Sequence, residues 1–259
     1  MKVMLITLSG MTKRIGWFTT GRGPGSLGLF SMMMSKIKSG EIDANLSFVF
    51  INREIKGNHF RAKLISMAEE DGIPVVILPS DGFQSDLKQK NMSDWRDAYG
   101  KAMRDQLSRY DMDFGVLAGY MLILDPNTCQ QFDIINLHPA LPNTYQGTWE
   151  EIVRRVALGE DKTYGAMVHI CTPELDRGET VAYDEFDISD MRKIHRSPDE
   201  LSKAIRAMGV RREAPLLMET IRSIVDGDMI IRDGEVFDRN GAKSKEHRCL
   251  SRTIDELLN

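Results

Sequence analysis

An asparagine and a histidine stand two residues apart in the segment INLHPALPNTY, residues 135–145. The apolar run before them predicts a buried β-strand, and in an extended chain residues two apart point to the same side. Pro139 restricts the residue before it to extended geometry, which helps to fix the backbone at His138. Asn136 and His138 are therefore predicted to form a fixed pair of hydrogen-bonding side chains facing one crevice.

A carboxylate further along the chain is a candidate partner for this pair. Asp176 lies in the turn-forming segment TPELDRG, which follows a predicted strand containing His169 and Cys171. A carboxylate beside His138 would orient the imidazole and favour its charged form. Asp176 also has a purely structural interpretation, because an aspartate before Arg-Gly commonly forms a turn. We interpret His169 as structural and Cys171 as a small buried apolar residue.

A glycine-rich segment, GRGPGSLG, supplies a second candidate site. Gly23, Gly25 and Gly28 read G-x-G-x-x-G before a predicted helix. Glycines let the backbone approach a phosphate, and the helix N-terminus offers free N–H groups to an anion. We therefore expect a phosphate-binding loop at residues 23–28.

Two features argue against the dinucleotide-binding form of this motif. That form follows its strand directly and has an acidic residue at the end of the second strand. Here residues 11–22 look like an insert after the first predicted strand, and INRE at 51–54 offers no clear acidic position. SGMTKR at 9–14 is a rival phosphate loop, with Lys13 and Arg14 as its charge partners.

Strand and helix patterns alternate around these candidates. Short apolar runs predict strands, and stretches with 3.6-residue periodicity predict helices. The alternation indicates a single α/β domain, residues 1–259, with a doubly wound, mostly parallel sheet. Strands are predicted at residues 2–8, 46–51, 74–78, 114–119, 133–137, 165–172 and 180–188, and helices at residues 26–40, 59–72, 94–110, 149–161 and 198–227.

The C-terminal part of the chain has a different pattern. Residues 198–227 predict one long helix that contains Pro215, and residues 229–242 predict a hairpin around Asp233-Gly234. The charged tail at 243–259 is expected to be loosely held.

Bulk composition excludes several classes of protein. A chain of 259 residues with 42% hydrophobic residues can bury a sizeable core. The net charge of -4 gives no broad basic surface, so nucleic acid is not an expected partner. The three cysteines show no disulfide or zinc spacing. No apolar run approaches the roughly 20 residues of a membrane span, and no signal peptide is recognisable. We expect a soluble cytoplasmic protein, monomeric or homodimeric, without a metal.

Three segments together resemble the folate-dependent formyltransferase family. INLHPALPNTYQG is similar to that family's N-x-H-P-S-L-L-P-x-Y-x-G signature, and YGAMVHICTPELDRGETV to its H-G-x-x-V-H-x-V-x-x-x-L-D-x-G segment. VLAGYMLIL resembles the family's VLAGFMRIL. The likeness covers roughly residues 2–240 and is greatest to the phosphoribosylglycinamide formyltransferases of purine synthesis. It implies a Rossmann-like formyltransferase fold with a long C-terminal helix and a hairpin.

The resemblance implies a role for each matching residue. Asn136, His138 and Asp176 would be catalytic, transferring a formyl group directly from 10-formyltetrahydrofolate, a co-substrate, to a phosphorylated amine. Other family positions would bind the two substrates. Substrate phosphate would bind Gly23, Gly25 and Ser26, and the ribose would bind Glu213. The folate would lie against the backbone of Met121, Leu122, Ile123 and Leu124 and against the loop before Asp176, which contains Thr172 and Glu174.

Departures from the family pattern leave the acceptor open. The family usually has arginine where Leu122 stands, and often a small polar residue where Leu27 stands. Glycinamide ribonucleotide is the expected acceptor; a nucleotide-linked amino sugar, or water in a formyltetrahydrofolate deformylase, is the alternative. Two further alternatives involve no formyl transfer: an NAD(P)-dependent oxidoreductase, and a relative that binds folate without catalysis.

Overall fold

The computed structural model describes residues 12–244 and 247–259, so the strand predicted at 2–8 lies outside the described residues. The strands are β1 (Lys13–Thr19), β2 (Ala44–Ile51), β3 (Val75–Ile77), β4 (Phe114–Leu117), β5 (Ile134–His138), β6 (Thr163–Ile170), β7 (Thr180–Asp187), β8 (Met229–Arg232), β9 (Glu235–Asp238) and β10 (Arg248–Cys249). The helices are α1 (Pro24–Lys38), α2 (His59–Glu70), α3 (Ser85–Lys90), α4 (Met92–Leu107), α5 (Pro126–Gln131), α6 (Trp149–Leu158), α7 (Ser189–Ile194), α8 (Pro198–Val225) and α9 (Ser251–Leu258).

Eight of the described strands form one sheet in the order β10-β7-β6-β5-β4-β1-β2-β3. Neighbours from β5 to β3 are parallel, whereas β6 runs antiparallel to both β5 and β7. The predicted mostly parallel α/β sheet is therefore confirmed. Helix α8, with 28 residues, is the predicted long C-terminal helix. Strands β8 and β9 pair as the predicted hairpin.

Helices cover both faces of the sheet because alternate strand residues point to opposite sides. On β1, Trp17 packs in a core cluster with Phe30 of α1 and Leu64 of α2. Its neighbour Phe18 packs in a second cluster with Trp95 of α4. Each large apolar side chain buried in this way contributes about 1.5–3 kcal/mol.

Strand β1 corrects the prediction for residues 11–22. Residues 13–19 of this segment are not an insert but a strand between β2 and β4, parallel to both. Gly16 is needed there, because a Cβ would lie 2.6 Å from both Met112 Sδ and Phe48 Cζ. The glycine-rich segment therefore follows its strand directly, as a phosphate-binding loop requires.

The rival phosphate loop at 9–14 is also corrected, as far as the described residues reach. Lys13 and Arg14 open β1 at its amino end. Arg14 forms ion pairs of 2.9 Å with Asp111 and 3.3 Å with Asp113. These groups lie at the opposite edge of the sheet from the carboxyl ends of the strands, where ligands bind in open α/β sheets.

The C-terminal tail is held against the domain, contrary to the prediction. Strand β10 pairs with β7, and Ile254 of α9 is fully buried. Arg212 of α8 binds Asp255 of α9 at 2.6 Å and the buried Asp184 of β7 at 2.7 Å. The apolar face of α9 and the Arg212 guanidinium, which two carboxylates share, therefore hold this segment in place. Its many charged residues had predicted a loosely held tail. Among the described helices, none has the length and apolar character needed to cross a membrane.

Candidate active site

The register between β5 and β6 brings four polar side chains into one cluster. Asn136 pairs directly opposite His169 across these antiparallel strands, and its Nδ2 lies 3.1 Å from His169 Nε2. The loop after β6 then returns Asp176 to the same point. Its Oδ1 lies 3.5 Å from His138 Nδ1 and 3.7 Å from His169 Nε2. The structure therefore brings together Asn136, His138 and Asp176, as the sequence predicted.

Backbone carbonyls fix which ring nitrogens carry protons. His169 Nδ1 lies 2.9 Å from the Ile170 carbonyl oxygen, and His138 Nε2 lies 2.9 Å from the Tyr145 carbonyl oxygen. A carbonyl oxygen only accepts, so both of these nitrogens donate an N–H. In the neutral rings, His169 Nε2 then accepts from Asn136, and His138 Nδ1 turns its lone pair towards Asp176.

The charge state of His138 differs from the sequence prediction. Burial lowers the pKa of His138, while Asp176 and the Tyr145 carbonyl raise it and His169 lowers it further; the net pKa is below the usual value. Asp176 favours the charged ring as predicted, but desolvation outweighs it because the imidazole is only 3% exposed. His138 is therefore mainly neutral at neutral pH before substrates bind.

Asp176 keeps its charge. Burial raises its pKa, but the neighbouring imidazoles of His169 and His138 and the Gly147 N–H lower it, and the net pKa is below the usual value. The Gly147 N–H lies 3.3 Å from Asp176 Oδ2. The cluster thus combines an ionised carboxylate and two imidazoles, all three largely removed from water, with the partly buried amide of Asn136.

The loop that carries Asp176 is held in a constrained backbone. Asp176 has a φ of 53°, in the left-handed region that few residues other than glycine adopt. Gln146 Nε2 donates to the Leu175 carbonyl at 2.5 Å and ties the loop to the segment after β5. Gly178 permits a close backbone approach, because a Cβ there would lie 1.7 Å from the Ile170 carbonyl oxygen.

His169 belongs to the cluster, although the sequence interpretation treated it as structural. It is 3% exposed and bonds to Asn136 on one side and to a backbone carbonyl on the other. Its role as a neighbour of Asn136 depends on the β5–β6 register. Two signals could have identified it: a prediction of that pairing, and the histidine in the V-H step of the family segment quoted above.

The glycine-rich segment lies one strand further along the sheet from the β4 loop. Gly23 is the N-cap of α1, and a Cβ at Gly23 or Gly25 would meet nothing within 4 Å. Ser26 is buried, and its Oγ lies 2.6 Å from where a Cβ on Gly119 would stand. The Thr20 N–H also donates to the Gly119 carbonyl at 3.1 Å. The first turn of α1 is therefore open on one side and joined to the β4 loop on the other.

The residues predicted to contact folate divide into two groups. Met121 is 51% exposed, and Leu122 and Ile123 are partly buried beside the same loop. Leu124 packs in the core cluster of Trp95 and Tyr99, so its side chain is not directed into an open crevice. The remaining two predicted residues form part of the loop that carries Asp176: Thr172 Oγ1 donates to the Glu174 carbonyl at 3.0 Å.

Glu213 lies on α8 in an ion pair with Arg206 of the same helix. Arg206 also stacks over the Trp149 ring at 4.7 Å. No hydrogen bond within residues 12–244 joins Glu213 to the glycine-rich segment. Within the described residues, no three His, Cys, Asp or Glu side chains are placed to hold a metal ion.

Comparison with known proteins gives consistent results. The family model described as formyl transferase matches residues 23–211. A phosphoribosylglycinamide formyltransferase from Haemophilus influenzae is 26% identical over 227 residues, which cover 87% of this chain and 93% of that protein. One of the same name from Dictyostelium discoideum is 35% identical over 115 residues, 40% of this chain, but the matched part spans only 56% of its length. The solved phosphoribosylglycinamide formyltransferase of Coxiella burnetii superimposes with a TM-score of 0.68 at 22% identity, covering 92% of this chain and 99% of that one.

Proposed function

This chain belongs to the formyl transferase family, and we propose that it transfers a formyl group from 10-formyltetrahydrofolate to the amine of glycinamide ribonucleotide. The observation that carries the proposal is the convergence of Asn136, His138 and Asp176 at the carboxyl end of β5. The names of the full-length relatives support the choice of acceptor.

The two donors of the cluster suit an oxyanion. Attack by the amine on the formyl carbon gives a tetrahedral intermediate with negative charge on oxygen. Asn136 Nδ2 has two N–H groups, of which one bonds to His169, and His138 Nε2–H bonds only to the Tyr145 carbonyl. The second Asn136 N–H can point to the oxyanion directly, whereas the His138 Nε2–H must first leave the Tyr145 carbonyl. Each donor that reaches the oxyanion is worth about 10²–10³ in rate.

Asp176 serves the proton transfer that the reaction requires. The attacking amine must lose a proton, and the departing folate nitrogen must gain one as its bond to the formyl carbon breaks. Asp176 is ionised, and its Oδ1 faces the unprotonated Nδ1 of His138 at 3.5 Å. Negative charge on the intermediate favours a proton on Nδ1, so this pair can hold a proton between the two nitrogen atoms of the reaction.

The surrounding segments place the two substrates side by side. We assign the donor to the exposed Met121 and to the loop of Thr172 and Glu174, which adjoin the cluster through Asp176. The acceptor phosphate is assigned to the open first turn of α1 at Gly23, Gly25 and Ser26. Juxtaposition of two bound substrates supplies orientation without a covalent enzyme intermediate.

The proposal is tested by following the absorbance of the freed folate with purified protein and 10-formyltetrahydrofolate. Release that requires glycinamide ribonucleotide, with a formylated product by mass spectrometry, supports the proposed function. Release that is independent of any amine would replace it with a deformylase. Saturable NADH binding without formyl transfer would exclude both.

A further inference from the structure

A cationic crevice lies next to the glycine-rich segment and outside the catalytic cluster. Its volume is about 590 Å³, within the usual size of a small-molecule site. The charged residues that line it are Arg22, Arg53, Glu54, Lys56, Arg61 and Asp81. Four cations face two carboxylates, so the lining carries a net charge of +2.

Arg61 is the most unusual of these residues. It is only 8% exposed, and it forms no ion pair within the described part of the chain. Its Nε donates to the Thr20 carbonyl at 3.0 Å and its Nη1 donates to the Glu54 carbonyl, while Nη2 has no such bond among the described residues. A buried guanidinium held by neutral carbonyls has an uncompensated charge, which favours an oxyanion as its partner.

The charges in the crevice disfavour further cations, and one carboxylate, Asp81, can be displaced by an anionic ligand. Burial and the nearby charge of Arg53 both lower the pKa of Arg61, so these two guanidinium groups already destabilise each other. Arg53 forms an ion pair with Asp81, whose side chain is 69% exposed. An exposed carboxylate of this kind can give way to a ligand oxyanion at low cost.

The crevice lies where ligands bind in this fold. Its lining comes from the segments that follow β1, β2 and β3, at the carboxyl edge of the sheet. Thr20 and Arg22 join it to the glycine-rich segment, and Met121 joins it to the β4 loop. With strands about 4.8 Å apart, β1 is roughly 10 Å and β2 roughly 14 Å from the catalytic pair on β5.

We propose that this crevice binds the anionic end of the acceptor, with Arg61, Arg53 and Lys56 supplying the charge that the glycine-rich segment lacks. The assignment rests on the proposed function, since it takes the acceptor to be a phosphorylated amine. Guanidinium groups match phosphate oxygens in bidentate geometry. The crevice is also larger than a single phosphate requires, so it accommodates a diphosphate.

Isothermal titration with inorganic phosphate and pyrophosphate tests the site without any turnover. Pyrophosphate should bind the wild-type chain more tightly than phosphate. The double variant R53Q/K56Q should weaken it by about tenfold or more. Asp81→Asn should tighten it, because it removes a competing carboxylate. Lys63→Gln, an exposed cation on α2 outside the crevice, should leave it unchanged.

Steady-state kinetics then identify the ligand. In R53Q/K56Q the KM for glycinamide ribonucleotide should rise about tenfold or more with kcat retained, and pyrophosphate should compete with the ribonucleotide. Pyrophosphate binding that neither R53Q/K56Q nor Asp81→Asn changes would overturn the site. Competition with the folate donor alone would overturn its assignment to the acceptor. The titrations report anion binding even if no formyl transfer occurs. The anion site and the proposed function can therefore be refuted separately.

Discussion

Replacing Gly178 by alanine should disable the catalytic cluster without touching any of its side chains. An alanine Cβ would lie 1.7 Å from the Ile170 carbonyl oxygen, whereas a carbon–oxygen contact needs about 3.3 Å. The backbone must therefore move by something on the order of 1.5 Å. The same carbonyl accepts the His169 N–H, and Asp176 stands two residues before the substitution.

The expected loss follows from that displacement. A misplacement of about 1 Å near reacting groups costs on the order of 10²-fold in rate, so kcat should fall at least that far. Overpacking of this kind also costs about 1–3 kcal/mol of stability. Formyl-transfer kinetics give the first quantity, and urea unfolding followed by circular dichroism gives the second.

A matched substitution separates the local effect from the general effect of adding a methyl group. Gly28 lies in α1, and a Cβ there would meet nothing within 4 Å. Gly28→Ala should leave stability equal or raise it by up to about 1 kcal/mol, because alanine favours helix. A folded Gly178→Ala variant with the kcat of wild type would refute the reasoning that the loop backbone sets the position of Asp176.

Three further predictions concern charge. Asp176→Asn removes a group that raises the pKa of His138, so the imidazole midpoint measured by NMR should move further below its usual value; an unchanged or higher midpoint would contradict this. Folding lowers the pKa of His138, so below a pH of about 6.5 the unfolded chain binds more protons than the folded chain. The free energy of unfolding should therefore fall as the pH drops below about 6.5. His138→Gln should make the free energy of unfolding, measured with urea, less dependent on pH in that range. Arg212→Met leaves Asp184, whose side chain is 1% exposed, without its partner and should cost about 3–5 kcal/mol on urea unfolding; a loss below about 1 kcal/mol would mean that the pair adds little.

Apolar runs in the sequence were enough to place most of the parallel sheet. The runs at 46–51, 74–78, 114–119 and 133–137 became β2 to β5, because strands buried on both faces are nearly continuous in apolar residues. The same pattern placed Asn136 and His138 at a strand end. Sequence spacing alone thus located the Asn136–His138 pair and the edge of the sheet on which it lies.

Strand β1 was missed because its sequence violates that pattern. It opens with Lys13 and Arg14 and has a glycine at its centre, whereas a more continuous apolar run stands at 2–8. Glycine is required at position 16 because the Phe48 and Met112 side chains fill the space that a Cβ would occupy. Such a need arises from residues distant in the chain, so local sequence cannot reveal it.

Local sequence also could not predict the parts of the site that depend on strand register or on loops distant in the chain. His169 joins the cluster only because β6 is antiparallel to β5 in one particular register. The cations of the crevice come from the segments after β1 and β2 and from α2, and INRE gave no reason to single out Arg53. Desolvation of His138 has the same origin, since burial is a property of the packed domain.

The most direct test of the central claim is a single-turnover measurement of formyl transfer in His138→Ala, with His195→Ala, a partly buried histidine that follows α7, as the matched control. Donor affinity is measured on the same samples. We expect a rate loss of about 10²–10³-fold or more in His138→Ala, with donor affinity nearly unchanged and the control like wild type. A His138→Ala protein that binds the donor and transfers the formyl group within a few-fold of the wild-type rate would contradict the central claim.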